Sequence, residues 1–312
     1  MDNGFLFHIQ VTELLQHFVN GLSIGSIYAL IALGYTLVYG ILKFINFAHG
    51  DILMMGTYAG LFIYNAYRPP EQGFLTIVIF LLAMIGAMIT SSVLGVIVEK
   101  LAYKPLRKAP RLAPLLSAIG VSIILMNSAA LFFGTKSRKF DYPFKNDPLN
   151  IAGTTITPNQ LLIIFTALII MTGLHIFIKY SRLGKAMRAT SENPTSAALM
   201  GINVDYIISI TFVIGSALAA IAGILISMEY TVYPTMGTLI GLKAFIAAVT
   251  GGIGNIYGAM FGGIILGLLE TFGVVILGIP YGLKDSIAFS LLIIILLFKP
   301  QGLLGKITRE KI

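Results

Sequence analysis

Few side chains in this sequence are equipped for chemistry, and those few do not converge. His49 and Asp51 stand close enough to suggest a metal pair or a proton relay. A zinc site takes three or four protein ligands, and no third lies near them in sequence. They read instead as gate-lining groups, with Asp51 as a candidate cap for a helix beginning at Ile52. Cysteine is absent, which excludes disulfides, thiolate metal sites and a cysteine nucleophile. Thr250-Gly-Gly-Ile-Gly-Asn255 contains Gly-x-Gly. No βαβ pattern surrounds it, and the third glycine of a dinucleotide fingerprint is misplaced. A Gly-x4-Gly-Lys-Ser/Thr loop is also missing: Gly184-Lys185 runs into Ala186, and Gly305-Lys306 into Ile307. The expectation is therefore no catalytic, cofactor or metal residue on this chain, and no ATP hydrolysis by it. A break in a membrane helix accounts better for the glycines.

The elements that must position these residues are membrane helices. Of the 312 residues, 57% are hydrophobic and 11% charged, against about 25% charged in soluble domains. About 20 apolar residues of helix cross the hydrocarbon of a bilayer. Uncharged runs predict spans at Phe18–Leu42, Ile52–Tyr67, Phe74–Val98, Leu112–Phe133, Gln160–Ile178, Tyr206–Met228, Ala244–Leu269 and within Tyr281–Phe298. The short second run leaves Asn46 to Asp51 as an irregular element inside the membrane profile. Such backbone is tolerated only where protein or water surrounds it. The predicted fold class is all-α, a polytopic membrane protein with eight or nine transmembrane helices. No secretory signal is expected in Met1–His17, which carries Asp2 and Glu13 and lacks a basic start.

The net charge of +8 is clustered. Lys100, Lys104, Arg107, Lys108 and Arg111 form one group, Lys179, Arg182, Lys185 and Arg188 a second, and Lys299, Lys306, Arg309 and Lys311 a third. Each lies in a short segment beside an apolar run, as the positive-inside rule requires. The clusters therefore read as topogenic, facing lipid headgroups rather than nucleic acid. With them inside, the N-terminus begins outside and the C-terminus is cytoplasmic. The chain must then cross an odd number of times between Glu229 and Lys299. Two short helices around a Gly251–Gly254 bend plus a final span satisfy this, and so does a re-entrant hairpin within 237–270 plus one span. Gly134–Asn159 is the longest exterior segment, with a composition that suits an ordered loop and a short hairpin.

Inside the spans the polar residues are mostly Ser and Thr, which satisfy themselves on the preceding helical turn. Ionisable groups are few. Glu270 and His175 lie near predicted ends, and Lys243, Lys284 and Asp285 fall where exterior or interfacial loops are expected. A path without charges suits a neutral or zwitterionic cargo, or energy supplied from elsewhere, because ion-driven carriers place Asp, Glu or His at mid-membrane. Asn20, Ser23, Asn46 and His49 are the candidate path residues, as polar groups near the ends of the first span. Gly21/Gly25, Gly56/Gly60, Gly254/Gly258/Gly262 and Gly263/Gly267 recur at intervals of four. That spacing brings helix backbones together in lipid, either as fixed packing or as surfaces that slide.

Ser181–Asp205 differs from its surroundings. It reads as two short amphipathic pieces broken at Asn193-Pro194, since a proline pushes the residue before it out of the α region. It is either a basic helix lying on headgroups or a docking element for a cytoplasmic partner. Gly184, Ala186, Met187, Arg188, Ala189, Asn193, Ala197, Ala198, Gly201 and Ile202 resemble the coupling loop of bacterial branched-chain amino acid ABC permeases. Asn20-Gly-Leu-Ser-Ile-Gly-Ser-Ile-Tyr-Ala-Leu30, Asn46-Phe-Ala-His-Gly-Asp51, Gly251-Gly-Ile-Gly-Asn255 and Lys299-Pro-Gln-Gly-Leu-Leu-Gly305 resemble other motifs of that family. Lys299 replaces the usual Arg, and the Glu-Ala-Ala signature of other importer permeases is absent.

The resemblance implies one permease domain over residues 1–312, with 181–205 as its cytoplasmic coupling segment. It implies import driven by ATP on partner subunits: two cytoplasmic ATPases, a second permease subunit and an extracytoplasmic binding protein for leucine, isoleucine or valine. The location would be the bacterial inner membrane. By position, Arg182, Lys185, Arg188, Glu192 and Asn193 are the expected contacts to the ATPase. Two competing classes remain distinguishable. An ATPase-independent carrier or channel needs a coupling carboxylate in a span, and an intramembrane enzyme needs a nucleophile–base or metal constellation; the residues offer neither.

Overall fold

The structure is a computed structural model and describes residues 11–68, 73–107, 109–110, 112–145, 147–151 and 153–305. Lys108, Arg111, Lys306, Arg309 and Lys311 of the basic clusters lie outside the described residues, as do residues 1–10. The helices are α1 (Val11–Leu42), α2 (His49–Tyr67), α3 (Phe74–Val98), α4 (Leu112–Phe133), α5 (Pro158–Tyr180), α6 (Arg182–Glu192) and α7 (Pro194–Leu199). They continue as α8 (Val204–Glu229), α9 (Met236–Gly251), α10 (Ile256–Leu277) and α11 (Lys284–Phe298). A π-helical turn over Glu99–Tyr103 and a 3-10 turn over Lys104–Leu106 extend α3. The segment between α4 and α5 contains the expected hairpin, with β1 (Leu149–Ile151) antiparallel to β2 (Thr154–Ile156).

Short polar side chains set the breaks between helices. Thr157 accepts from the Gln160 amide at the start of α5, and Ser181 from the Gly184 amide at the start of α6. Asn193, Asn203 and Asn255 do the same for α7, α8 and α10. Each satisfies an amide that has no partner within its own helix. The first two helices are joined differently. Lys43 takes φ +57, and His49 opens α2 three residues earlier than Ile52. Asp51 is therefore not a cap: Ala48 holds that position without a side-chain bond, and Asp51 accepts instead from the Ser122 hydroxyl midway along α4.

Glycine decides how closely the central helices pack. Gly263 and Gly267 of α10 lie against Ala29 and Gly25 of α1, backbone to backbone. Gly56 and Gly60 of α2 face α3, with Gly60 also against Ile224 of α8, and Gly50 meets Gly237 of α9. The break expected near Gly251–Gly254 separates α9 from α10, and Gly252 adopts φ +108 there. The stretch thus forms two helices joined at this bend and followed by a last one, α11.

Among the described residues seven helices are long and apolar enough to cross a membrane. The expected count is eight or nine; α2 and the shorter α9 pack among these seven without combining the same length and apolarity. α1 and α8 are buried within the bundle, whereas α3, α4, α5 and α11 turn faces such as Leu81, Ile85, Ile89, Ile124, Ile169 and Leu297 outward. An outward apolar surface of this extent is what lipid covers.

The two ends of the bundle carry different parts. One end gathers the start of α1, the hairpin and the α8–α9 connection: Gln16 pairs with the Thr155 backbone, and Arg138 pairs with Val232. The other gathers the α9–α10 turn, the C-terminal segment and α6. Leu303 and Leu304 donate to Thr250 and Gly251, Asn255 donates to Leu304, and Gly40 near the end of α1 faces Ser191.

Candidate functional site

At the hairpin end a cavity of about 390 Å³ opens between α1, α5, α8, α10 and α11. Asn20 and Ser23, two of the sequence-derived path residues, line it together with Gln160, Glu229, Glu270 and Lys284. The Asn20 side-chain Oδ1 accepts from Gln16 at 3.1 Å and from Gln160 at 2.8 Å, which ties α1 to α5. The Tyr230 phenol stands at the wall, and burial, followed by its bond to Tyr281, pushes its pKa well up. It therefore stays a neutral hydroxyl at the wall.

Behind the cavity lies a buried charge network. Lys243 is 4% exposed and Glu270 3%. The Lys243 ammonium meets Glu270 at 2.9 Å and Asp285 at 2.6 Å, and donates to the Tyr28 hydroxyl at 3.2 Å. That hydroxyl donates in turn to Glu270 at 3.0 Å. The expectation that Lys243 and Asp285 sit in exterior or interfacial loops is corrected: Lys243 is inside α9, Asp285 opens α11, and Glu270 joins them from α10. The sequence signal was present but ambiguous. A charge at the edge of an apolar run ends a span or enters it with a partner, and pairing is what makes the second affordable.

Asn46 and His49 lie elsewhere, so the four path candidates divide into two groups. Asn46 is buried and accepts from the Tyr103 hydroxyl and the Ala48 amide. His49 is buried edge-on against Tyr35, its ring pressed toward Gly34. These two and Asp51 join α1, α2, α4 and the π-turn after α3 into one polar knot. Lys43, beside it, has its pKa lowered by burial. Among the described residues no three His, Asp or Glu side chains converge as a metal set.

A second ion network, which sequence reading did not identify, closes the opposite end of α3. Arg107 bridges the buried Glu99 and Asp205, the latter at 2.6 Å, while Lys104 meets Asp205 at 2.7 Å and Ser209 donates to Glu99 at 2.8 Å. It fastens the π-turn to the first turns of α8, at the C-terminal end of the 181–205 segment. The spacing of Glu99 and Arg107 gave no helix-face pairing to notice, because the chain leaves α geometry between them.

The coupling candidates occupy α6 and its junction with α7. Arg182, Lys185, Arg188, Glu192 and Asn193 are all exposed. Two have local work as well. The Arg188 guanidinium donates to the carbonyls of Ile178 and Lys179, closing the end of α5. Asn193 caps α7 through the Ser196 amide at 3.0 Å. Leu199 and Met200, beyond them, are 84% and 83% exposed.

Comparison with known proteins agrees with this architecture. Residues 17–296 match the family model described as branched-chain amino acid transport system / permease component. The high-affinity branched-chain amino acid transport system permease protein BraD of Pseudomonas aeruginosa is 45% identical over 311 residues, covering 97% of this chain and 99% of that protein. The permease protein LivH of the corresponding high-affinity system is 44% identical in Salmonella typhimurium and 43% in Escherichia coli K12, each with the same coverage. An all-α polytopic membrane bundle that matches over nearly its whole length belongs to the branched-chain amino acid transport permease family.

Proposed function

We propose that this chain is the membrane-spanning permease subunit of an ATP-driven importer for leucine, isoleucine and valine. Its near full-length likeness to permeases named for high-affinity branched-chain amino acid transport carries the reading. The chain pairs with a second permease subunit. Two cytoplasmic ATPases supply the power, and an extracytoplasmic binding protein delivers the amino acid. The bacterial inner membrane holds the assembly, with the hairpin end outside and the C-terminus in the cytoplasm. Asn20 and Ser23 belong to the outer part of the path, and Asn46 and His49 to its inner constriction.

In this mechanism the segment 181–205 transmits motion. Arg182, Lys185 and Glu192 contact the ATPase from the exposed face of α6. Arg188 holds α6 against the end of α5, and Asn193 fixes the bend into α7, so force on the segment reaches the membrane helices. Closure of the ATPase pair shifts the helices around the polar knot and moves the opening from outside to inside.

Two experiments test this reading. In proteoliposomes holding all subunits, Arg182→Ala, Lys185→Ala and Glu192→Ala combined is expected to preserve assembly while leucine uptake falls at least tenfold and ATP turnover persists; unchanged uptake refutes the assigned contacts. The natural lack of cysteine makes the orientation easy to check. Lys185→Cys is expected to react with an impermeant maleimide only in inside-out vesicles, and Asn150→Cys only in intact spheroplasts. The reverse pattern would invert the topology and remove the coupling assignment.

A further inference from the structure

The outer cavity, at about 390 Å³, lies within the roughly 300–1,000 Å³ of small-molecule sites. One wall is acidic, with Glu270 from α10 and Glu229 from the end of α8. Behind it Lys243 alone serves both Glu270 and Asp285, so the trio carries one net negative charge. Where water is sparse, such a charge attracts a cation strongly. A second wall is basic. Lys284 sits over the rings of Tyr230 and Tyr281, 4.9 and 4.4 Å from their centres, with its ammonium donating to both hydroxyls. A third is apolar, formed by Ile24, Val274 and Val275. The Ser23 hydroxyl lines the same space, is 2% exposed and has no protein partner. A buried hydroxyl of this kind is costly unless something in the cavity satisfies it.

We infer that this cavity is a binding station for an α-amino acid zwitterion with an aliphatic side chain. The ammonium faces Glu270 and Glu229, the carboxylate faces Lys284 and Ser23, and the branched side chain lies on Ile24, Val274 and Val275. The inference rests on the importer reading and adds the residues that receive the cargo within this subunit. A neutral sugar leaves both charged walls without partners, and a simple anion leaves the acidic one repelled, so the arrangement also discriminates.

The test uses the complete importer in proteoliposomes and photo-leucine, whose diazirine replaces part of the branched side chain. Illumination is expected to label peptides of α1 or α10 containing Ile24 or Val274, and excess leucine is expected to abolish that label. Leucine should compete at least tenfold better than leucinamide, which lacks the carboxylate, and Lys284→Gln should erase that difference. Val274→Trp, which fills the apolar wall, should cut labelling and uptake at least tenfold while the subunits still copurify. Glu229→Gln, at the rim, should weaken leucine and leucinamide alike. If the wild type imports leucine but label falls elsewhere, or if Lys284→Gln and Val274→Trp behave as the wild type, the station is wrong and the importer reading survives. If the wild type imports no branched-chain amino acid, the importer reading fails and takes the station with it.

Discussion

Lys243→Met is expected to lower the stability of the folded permease by about 3–5 kcal/mol, the usual cost of removing one partner from a buried ion pair. The ammonium is shared between Glu270 and Asp285, so its loss leaves two carboxylates facing each other among α9, α10 and α11. Methionine fills nearly the same volume and cannot neutralise either of them. The size of the effect comes from the orphaned charges rather than from the lost attraction. A triple change, Lys243→Met with Glu270→Gln and Asp285→Asn, is therefore expected to recover most of the loss, although it removes more native groups. Thermal denaturation followed by fluorescence-detected size exclusion measures both. A single variant with the wild-type midpoint, or a triple variant worse than the single one, contradicts the pairing.

The second large effect concerns the seam between α1 and α10. A Cβ at Gly263 meets the backbone of Ala29, and one at Gly267 meets the backbone of Gly25 and Gly21; from the other side, a Cβ at Gly25 lies 2.8 Å from Ile264 Cα. Backbone atoms cannot swing aside as a side chain does, so the helices must separate along a contact that runs most of their length. Gly267→Val and Gly263→Val are each expected to cost about 3 kcal/mol or more, the upper part of the range for overpacking, and to leave little monodisperse protein. Gly173 is the control. It lies in α5 with open space where a Cβ would go, and Gly173→Ala is expected to be neutral or stabilising by up to about 1 kcal/mol. Equal behaviour of the three variants would mean that glycine matters here for reasons other than close approach.

Much of this architecture is legible in the sequence. In hydrocarbon each backbone amide must be satisfied within its own helix, so the length of an uncharged run translates directly into a helix. Phe74–Val98 and Leu112–Phe133 were read with the bounds the structure gives. The bend at Asn193-Pro194, the break near Gly251–Gly254 and the hairpin before α5 followed from local rules of the same kind. The reach of α1 did not: it extends back to Val11 past Glu13, because a helix does not stop where its apolar part does.

The sequence by itself therefore determined which segments become membrane helices and where they break, since short-range bonding and solvent preference settle both. Tertiary structure alone decided which polar groups meet. Tyr28 and Glu270 are 242 residues apart in the chain, and Asp51 finds Ser122 across two helices. A charge beside an apolar run has the same appearance in sequence whether it marks the membrane surface or lies paired inside. The difference is the position of a partner on another helix, which packing geometry fixes and local preference does not encode.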